Sequence, residues 1–493
     1  MAALFCGAVT AASAATPPRP NIVYILADDL GYGDVQALNP ERGKIPTPHL
    51  DRLAAQSKVF TDVHSGASIC TPTRYGLMTG RYAWRTRLQQ GVLDGGNDEP
   101  LIAPERLTVA TFLRQQGYAT AAIGKWHLGF MADPPPAATK SRGLPVGAPI
   151  GAKILGGPVE RGFDYFWGCS NARTLASLIE NDRVVDLLPP VEMAPRLRER
   201  AIAYLRERAA TAKAGQPFFL YVALTSPHLP LVPSAEWKGK SPLGVYGDFV
   251  QQMDADVGSI VAALDESGLA QDTLLIFASD NGCSVQADVG KLEAAGHYAS
   301  AQFRGYKADG WEGGHRVPFF VRWPGMVPPG STSDVTIGIG DFMSTVADLL
   351  KASLPGEASP DGVSFLPALY GQPLSSKRAA VVHPSARGQF SLREGPWKLI
   401  FGGGSGGVGK PTDEEAKAAG LPEVQLYNLA SDPGETVNLA SAQPDRVRRM
   451  EAQLHRYIAD GRSTPGPAQR NDVEVHAPRP VVLPAVPSIG SRK

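Results

Sequence analysis

Cysteine is scarce: Cys6, Cys70, Cys169 and Cys283 are the four in a chain of 493 residues. So few thiols cannot staple a fold of this length, which excludes a disulfide scaffold. An excess of charge of one sign is also missing. The 48 basic and 48 acidic side chains cancel, so no global field favours nucleic acid or an anionic membrane surface. No run approaches the ~20 apolar residues that span a bilayer, and no repeat at a period of about 20 to 50 residues marks a solenoid. Hydrophobic residues make up 43% against 19% charged, too apolar a balance for a disordered chain. Fifty-three glycines and 43 prolines without a short period indicate many loops around a packed core.

The first fifteen residues are small and apolar and contain Ala12-Ser13-Ala14, a pattern of signal-peptide cleavage sites. An exported, periplasmic or extracellular protein is therefore expected, with residues 1–16 removed. Short apolar runs over Asn21–Ala27, Tyr118–Ile123, Phe218–Thr225, Thr273–Ser279 and Val317–Val321 read as buried parallel strands. Helical patterns over His49–Phe60, Leu107–Gln116, Arg196–Ala210, Asp248–Asp265 and Phe342–Lys351 alternate with them. That alternation predicts an α/β fold, a mostly parallel central sheet sandwiched by helices. Asp133–Gly157, opening on three prolines, reads as one long loop. Ala379–His383, Gly388–Arg393, Trp397–Phe401 and Val424–Leu429 read as antiparallel strands, and Asp445–Asp460 as an amphipathic helix stopped by Gly461. The expected division is a large domain over 17–375, a smaller C-terminal subdomain over 376–465 and an extended tail over 466–493.

Four of the apolar runs end in polar residues: Asp28 and Asp29, Lys125 and His127, His228, Asp280 and Asn281. Ligands of open α/β sheets bind outside the carboxyl ends of the strands, so these groups should converge. Three carboxylates and an amide oxygen form an all-oxygen set suited to a hard cation such as calcium. The segment Cys70-Thr71-Pro72-Thr73-Arg74, continued by Leu77, Thr79, Gly80 and Arg81, is the other informative feature.

These residues resemble the type I, formylglycine-dependent sulfatases of the alkaline-phosphatase-like superfamily. The likeness extends through Gly124-Lys125-Trp126-His127, Ser226-Pro227-His228, Ser279-Asp280-Asn281-Gly282 and Lys307 with Trp311-Glu312-Gly313-Gly314. It implies that a separate maturation enzyme oxidises Cys70 to formylglycine, whose hydrate is the nucleophile on a sulfate ester, small-molecule or saccharide. A serine would leave a stable sulfate ester, whereas a diol can expel sulfate through its second hydroxyl. The resemblance makes Asp28, Asp29, Cys70, Asp280 and Asn281 the surroundings of a calcium ion, magnesium being the alternative. Arg74, Lys125 and Lys307 would offset charge on the sulfuryl group. His127 and His228 would handle protons at the diol and the leaving oxygen, and the sequence leaves open which does which.

Bland readings stand for the remaining histidines, His49, His64, His383, His455 and His476, as hydrogen-bonding residues, and for His315 as a packed one. His297 and Arg304 are divided between substrate recognition and a surface loop. Trp126 and Trp167 read as core packing and Arg196–Arg208 as a solvated helix face; nothing in the sequence places Cys169 and Cys283 near each other, and their pairing in an oxidising compartment stays open. Asp133–Glu160 and Ser170–Asn181 are the candidate specificity segments. Two other functions fit the same residues: hydrolysis of phosphonate monoesters or phosphodiesters, and a non-catalytic binding protein with this fold.

Overall fold

Alternate residues of the strand Asn21–Ala27 serve different cores. Ile22, Tyr24 and Leu26 pack with Phe219, Tyr221, Leu274 and Ile276. Val23, Ile25 and Ala27 pack with Leu220, Val222, Leu275 and Phe277. A strand buried on both faces needs apolar side chains at every position, which is why it reads as an unbroken run. The computed structural model describes residues 19–95, 97–136, 140–141, 144–145, 147–171, 177–375, 378–479 and 481. The expected leader lies outside them, as do 172–176 of the second specificity segment, 137–139, 142, 143 and 146 of the first, and 480 and 482–493 of the expected tail.

Among the described residues the central sheet has twelve strands. Its parallel middle runs Thr273–Ser279, Asn21–Ala27, Phe218–Ala223, Ala119–Lys125, Tyr165–Cys169. The helices Pro190–Lys213 and Gly244–Glu266 cover one face, through Met193, Leu197, Tyr246 and Met253. Cys70–Thr79, Val109–Gln115 and Phe342–Leu349 cover the other, through Leu77, Met78, Leu113 and Val346. Thr108 starts the second of these by accepting a hydrogen bond from the Thr111 amide at 3.0 Å, which satisfies a donor the helix cannot.

Three expectations need correction. The run at 317–321 forms Phe319–Arg322, which pairs antiparallel with Thr273–Ser279. No long crossover helix follows Ser279, so the chain stays at the carboxyl edge and can only re-enter in the opposite direction. The helix expected over 49–60 ends at Ala55, and Lys58–Phe60 is a strand between Phe319–Arg322 and Ser331–Ser333, where its β-branched and aromatic residues suit a sheet. The long loop at 133–157 contributes Lys153–Leu155, paired with Met131–Asp133 at the far edge of the sheet.

The C-terminal strands form a separate four-stranded antiparallel sheet in the order Val381–Val382, Ser391–Glu394, Trp397–Ile400, Gln425–Asn428. The helix Pro444–Ala459 lays Val447, Met450 and Leu454 over Leu392, Leu399 and Leu426. Gly461 follows it at φ 64°, the left-handed conformation that ends helices and favours glycine.

Candidate active site

Four adjacent parallel strands bring their carboxyl ends to one edge, and one helix starts there. Asp28 and Asp29 follow the first strand, Lys125 ends another, and Asp280 and Asn281 follow Thr273–Ser279. Cys70 is the first residue of Cys70–Thr79, so the positive end of the helix dipole lies at its side chain. Arg74 is one turn further and shares its face, which gives the Cys-x-x-x-Arg spacing a physical reason.

The charged groups interlock. Lys125 Nζ donates to both oxygens of Asp28 at 2.9 and 2.7 Å. Lys307 Nζ does the same to Asp29 at 2.6 and 2.8 Å and lies 3.5 Å from Cys70 Sγ. Arg74 Nε and Nη2 donate to Asp280 Oδ2 at 3.0 and 2.7 Å. Ligand atoms of Asp28, Asp29, Cys70 and His228 all lie within 4.8 Å of one another. Asn281 Nδ2 donates to Asp29 Oδ1 at 2.8 Å, while its Oδ1 is buried with no hydrogen-bond partner. An orphaned oxygen beside three carboxylates fits a hard divalent cation. Asp29 and His127 hold φ of 69° and 55°, a costly conformation for residues other than glycine and one that clusters at working sites.

Burial alone would push the Cys70 thiol up, but Lys125, Lys307 and His228 outweigh it and bring it down to about 6. The site therefore favours an oxyanion at that side chain. Burial and Lys125 hold His127 well below the usual histidine range. Its Nε2 faces the Leu93 carbonyl at 2.9 Å and its buried Nδ1 has no partner, so a neutral ring presents a free lone pair. For His228, burial is overcome by the Asp29 carboxylate, which raises it. His228 Nδ1 bonds the Leu229 carbonyl at 2.6 Å, leaving Nε2 3.7 Å from Asp29 Oδ2.

A family profile described as Sulfatase matches residues 20–352. The chain belongs to the sulfatase family. It is 32% identical to the N-acetylgalactosamine-6-O-sulfatase of Bacteroides thetaiotaomicron, over 88% of this chain and 92% of that protein. It is 33% identical to human arylsulfatase A, over 93% and 92%. A solved structure from work on glycosaminoglycan metabolism by Bacteroides thetaiotaomicron superposes with a TM-score of 0.78 at 30% identity, covering 89% of this chain and 99% of its own. This sulfatase is a sulfuric ester hydrolase.

All the predicted site residues converge, but Arg74 has a different set of partners from those expected. Besides Asp280, its Nη1 donates to the Lys125 carbonyl and to Tyr221 OH at 3.1 and 3.3 Å. Nε, Nη1 and Nη2 are thus all engaged inside the protein, where they hold the Asp280 carboxylate in place. Tyr221 went unnoticed because it reads as one more strand residue. His297 and Arg304 are structural. His297 is fully buried between the Lys44 amide and Asp34, and Arg304 stacks on Trp311. Trp126 and Trp167 are buried, and Cys169 and Cys283 are buried and free.

The bland reading of His64, His315 and His383 holds in an unexpected form. They stack together, fully buried, with ring centroids 3.7 to 5.1 Å apart. Lys398 Nζ donates to His315 Nε2 at 2.9 Å, His315 Nδ1 meets His64 Nδ1 at 3.0 Å, and His64 Nε2 meets Asp62 at 2.8 Å. Asp62, Glu312 and Glu435 face Arg316, Arg393 and Lys398. Those charges already cancel.

Proposed function

We propose that this sulfatase hydrolyses sulfate esters, those of carbohydrates foremost, using formylglycine made from Cys70 and a divalent cation held by Asp28, Asp29, Asp280 and Asn281. The observation that carries this reading is the buried Cys70 at a helix start among those carboxylates, 3.5 Å from the Lys307 ammonium. The all-oxygen donor set supports calcium, with magnesium as the alternative. When bound, the cation would polarise a sulfate oxygen and favour deprotonation of the attacking hydroxyl. The hydrated aldehyde of Cys70 would supply two hydroxyls on one carbon, a nucleophile and a built-in means of release.

The chain's own residues do the rest. Lys125 and Lys307 offset charge on the sulfuryl oxygens and fix their orientation. Of all the site cations Lys307 is the most exposed, its side chain 16% accessible, which suits a group that meets substrate at the mouth. Neutral His127 takes a proton at Nδ1, and His228, whose hold on a proton the Asp29 carboxylate strengthens, gives one to the leaving oxygen. A carbohydrate substrate is favoured because a relative at 32% identity is named for sulfated N-acetylgalactosamine. The remaining partner is a maturation enzyme that reads Cys70-Thr71-Pro72-Thr73-Arg74. Ala12-Ser13-Ala14 supports export, and among the described residues no helix is long and apolar enough to cross a membrane.

Parallel kinetics on an aryl sulfate, an aryl phosphonate monoester and a panel of sulfated monosaccharides test this reading. Turnover of the sulfates is expected. Turnover of the phosphonate alone would favour the phosphonate hydrolase, and no turnover by converted protein would favour a binding protein.

A further inference from the structure

Lys307 stands on a turn that does not hold itself. Tyr306 O accepts the Asp309 amide at 3.0 Å, closing a four-residue turn with Lys307 second and Ala308 third. Ala308 has φ 83°, the third-position value of a type II turn, where glycine is the usual residue. An alanine there is strained, and such strain persists only when neighbours fix the geometry.

The neighbours come largely from the C-terminal sheet and its loops. Asp309 is fully buried. Its Oδ2 accepts the Tyr306 amide at 3.0 Å, and its Oδ1 accepts the amides of Val408 and Gly409 at 2.9 and 2.7 Å. Gly310 donates to the Ser405 carbonyl at 2.7 Å, and Ala386 donates to that of Ala308 at 2.9 Å. The glycines at 407 and 409 are required by closeness. A methyl at Gly407 would meet the Ala308 carbonyl oxygen at 2.3 Å, and one at Gly409 would meet Asp309 Oδ2 at 2.5 Å.

We propose that Asp309 is a positioning residue for Lys307, acting through a clamp formed by the glycine-rich loop 402–409. The inference rests on the reading that Lys307 contacts the sulfuryl group. Asp309 touches no reacting atom. It joins both sides of the turn to the loop, so the ammonium returns to one place beside Cys70 despite the strain at Ala308.

The test is a double-mutant cycle on sulfate-ester hydrolysis by the full chain with Cys70 converted. Asp309→Ala and Lys307→Met should each lower kcat/KM by about 100-fold, the scale of a misplaced catalytic group. The double variant should fall no more than about 3-fold below Lys307→Met, because a group already absent cannot be misplaced. A purely structural Asp309 would give losses that multiply. Gly407→Ala, which presses on Ala308 from the clamp side, should show the same dependence on Lys307 and serves if Asp309→Ala folds poorly. Multiplying losses, or wild-type rates in Asp309→Ala or Gly407→Ala, overturn the inference alone. A converted wild type that hydrolyses no sulfate ester overturns the reading beneath it as well.

Discussion

The parallel middle of the large sheet and the small C-terminal sheet divide the work unequally. The first carries the groups that face the chemistry: Asp28, Asp29, Lys125, Asp280 and Asn281 all sit at ends of neighbouring strands. The second contributes no group to that cluster, yet its loops and buried charges hold the segment from Lys307 to Arg316. Parallel strands aim their ends at a shared edge through topology alone. A lysine on a strained turn needs an outside support, and here the antiparallel sheet supplies it.

Substitutions on the two sides should therefore fail differently. Cys70→Ala should reduce turnover to background while thermal unfolding stays close to wild type, since a small apolar side chain replaces a reactive one in the same space. A large loss of stability, or retained turnover, would place Cys70 in the core and not in the chemistry. Asp280→Ala should lower metal affinity by about 100-fold or more along with the rate, read by metal analysis after dialysis; unchanged metal content would remove Asp280 from the ligands. Lys398→Met belongs to the other side. It leaves Glu312 and Glu435 without the ammonium 3.1 and 2.8 Å away, and denaturant unfolding should show a loss of about 3–5 kcal/mol. Stability within 1 kcal/mol of wild type, roughly the value of an exposed pair, would make that network incidental.

The smallest effect concerns acid. Burial holds His64, His315 and His383 below the ordinary histidine value, the last two well below it. As pH falls below about 6.5, the unfolded chain binds protons that the folded one refuses, so these groups withdraw stability toward acid. His383→Phe keeps a ring in the stack and removes one such group. Its stability relative to wild type should rise as pH falls below about 6.5, by about 1.4 kcal/mol per pH unit for one proton. Parallel stability curves would mean that His383 does not titrate on unfolding.

Much of the site was legible because its residues follow apolar runs, and a run with polar residues at its carboxyl end is a local signal. Cys70 and Arg74 were legible through the Cys-x-Pro-x-Arg pattern that resembles the sulfatases, whereas the helix that puts them on one face was not anticipated. What stayed hidden depends on contacts across long stretches of chain. The antiparallel entry of Phe319–Arg322 follows from a missing crossover, not from the composition of the strand. Arg74 looked free to bind an anion because its partners, Asp280 and Tyr221, lie 206 and 147 residues away. Asp309 carries no signal of its own in the sequence, since the Val408 and Gly409 amides it accepts lie 99 and 100 residues on. The left-handed backbone of Ala308 leaves no trace in the sequence, since alanine is not the residue such a turn prefers.

The most direct single measurement is mass spectrometry of the Cys70-containing peptide from a preparation shown to be turning over a sulfate ester. The expected result is a peptide in which the thiol has been replaced by an aldehyde that traps a hydrazide. An intact, alkylatable thiol throughout a fully active preparation would contradict the claim that a converted Cys70 is the nucleophile.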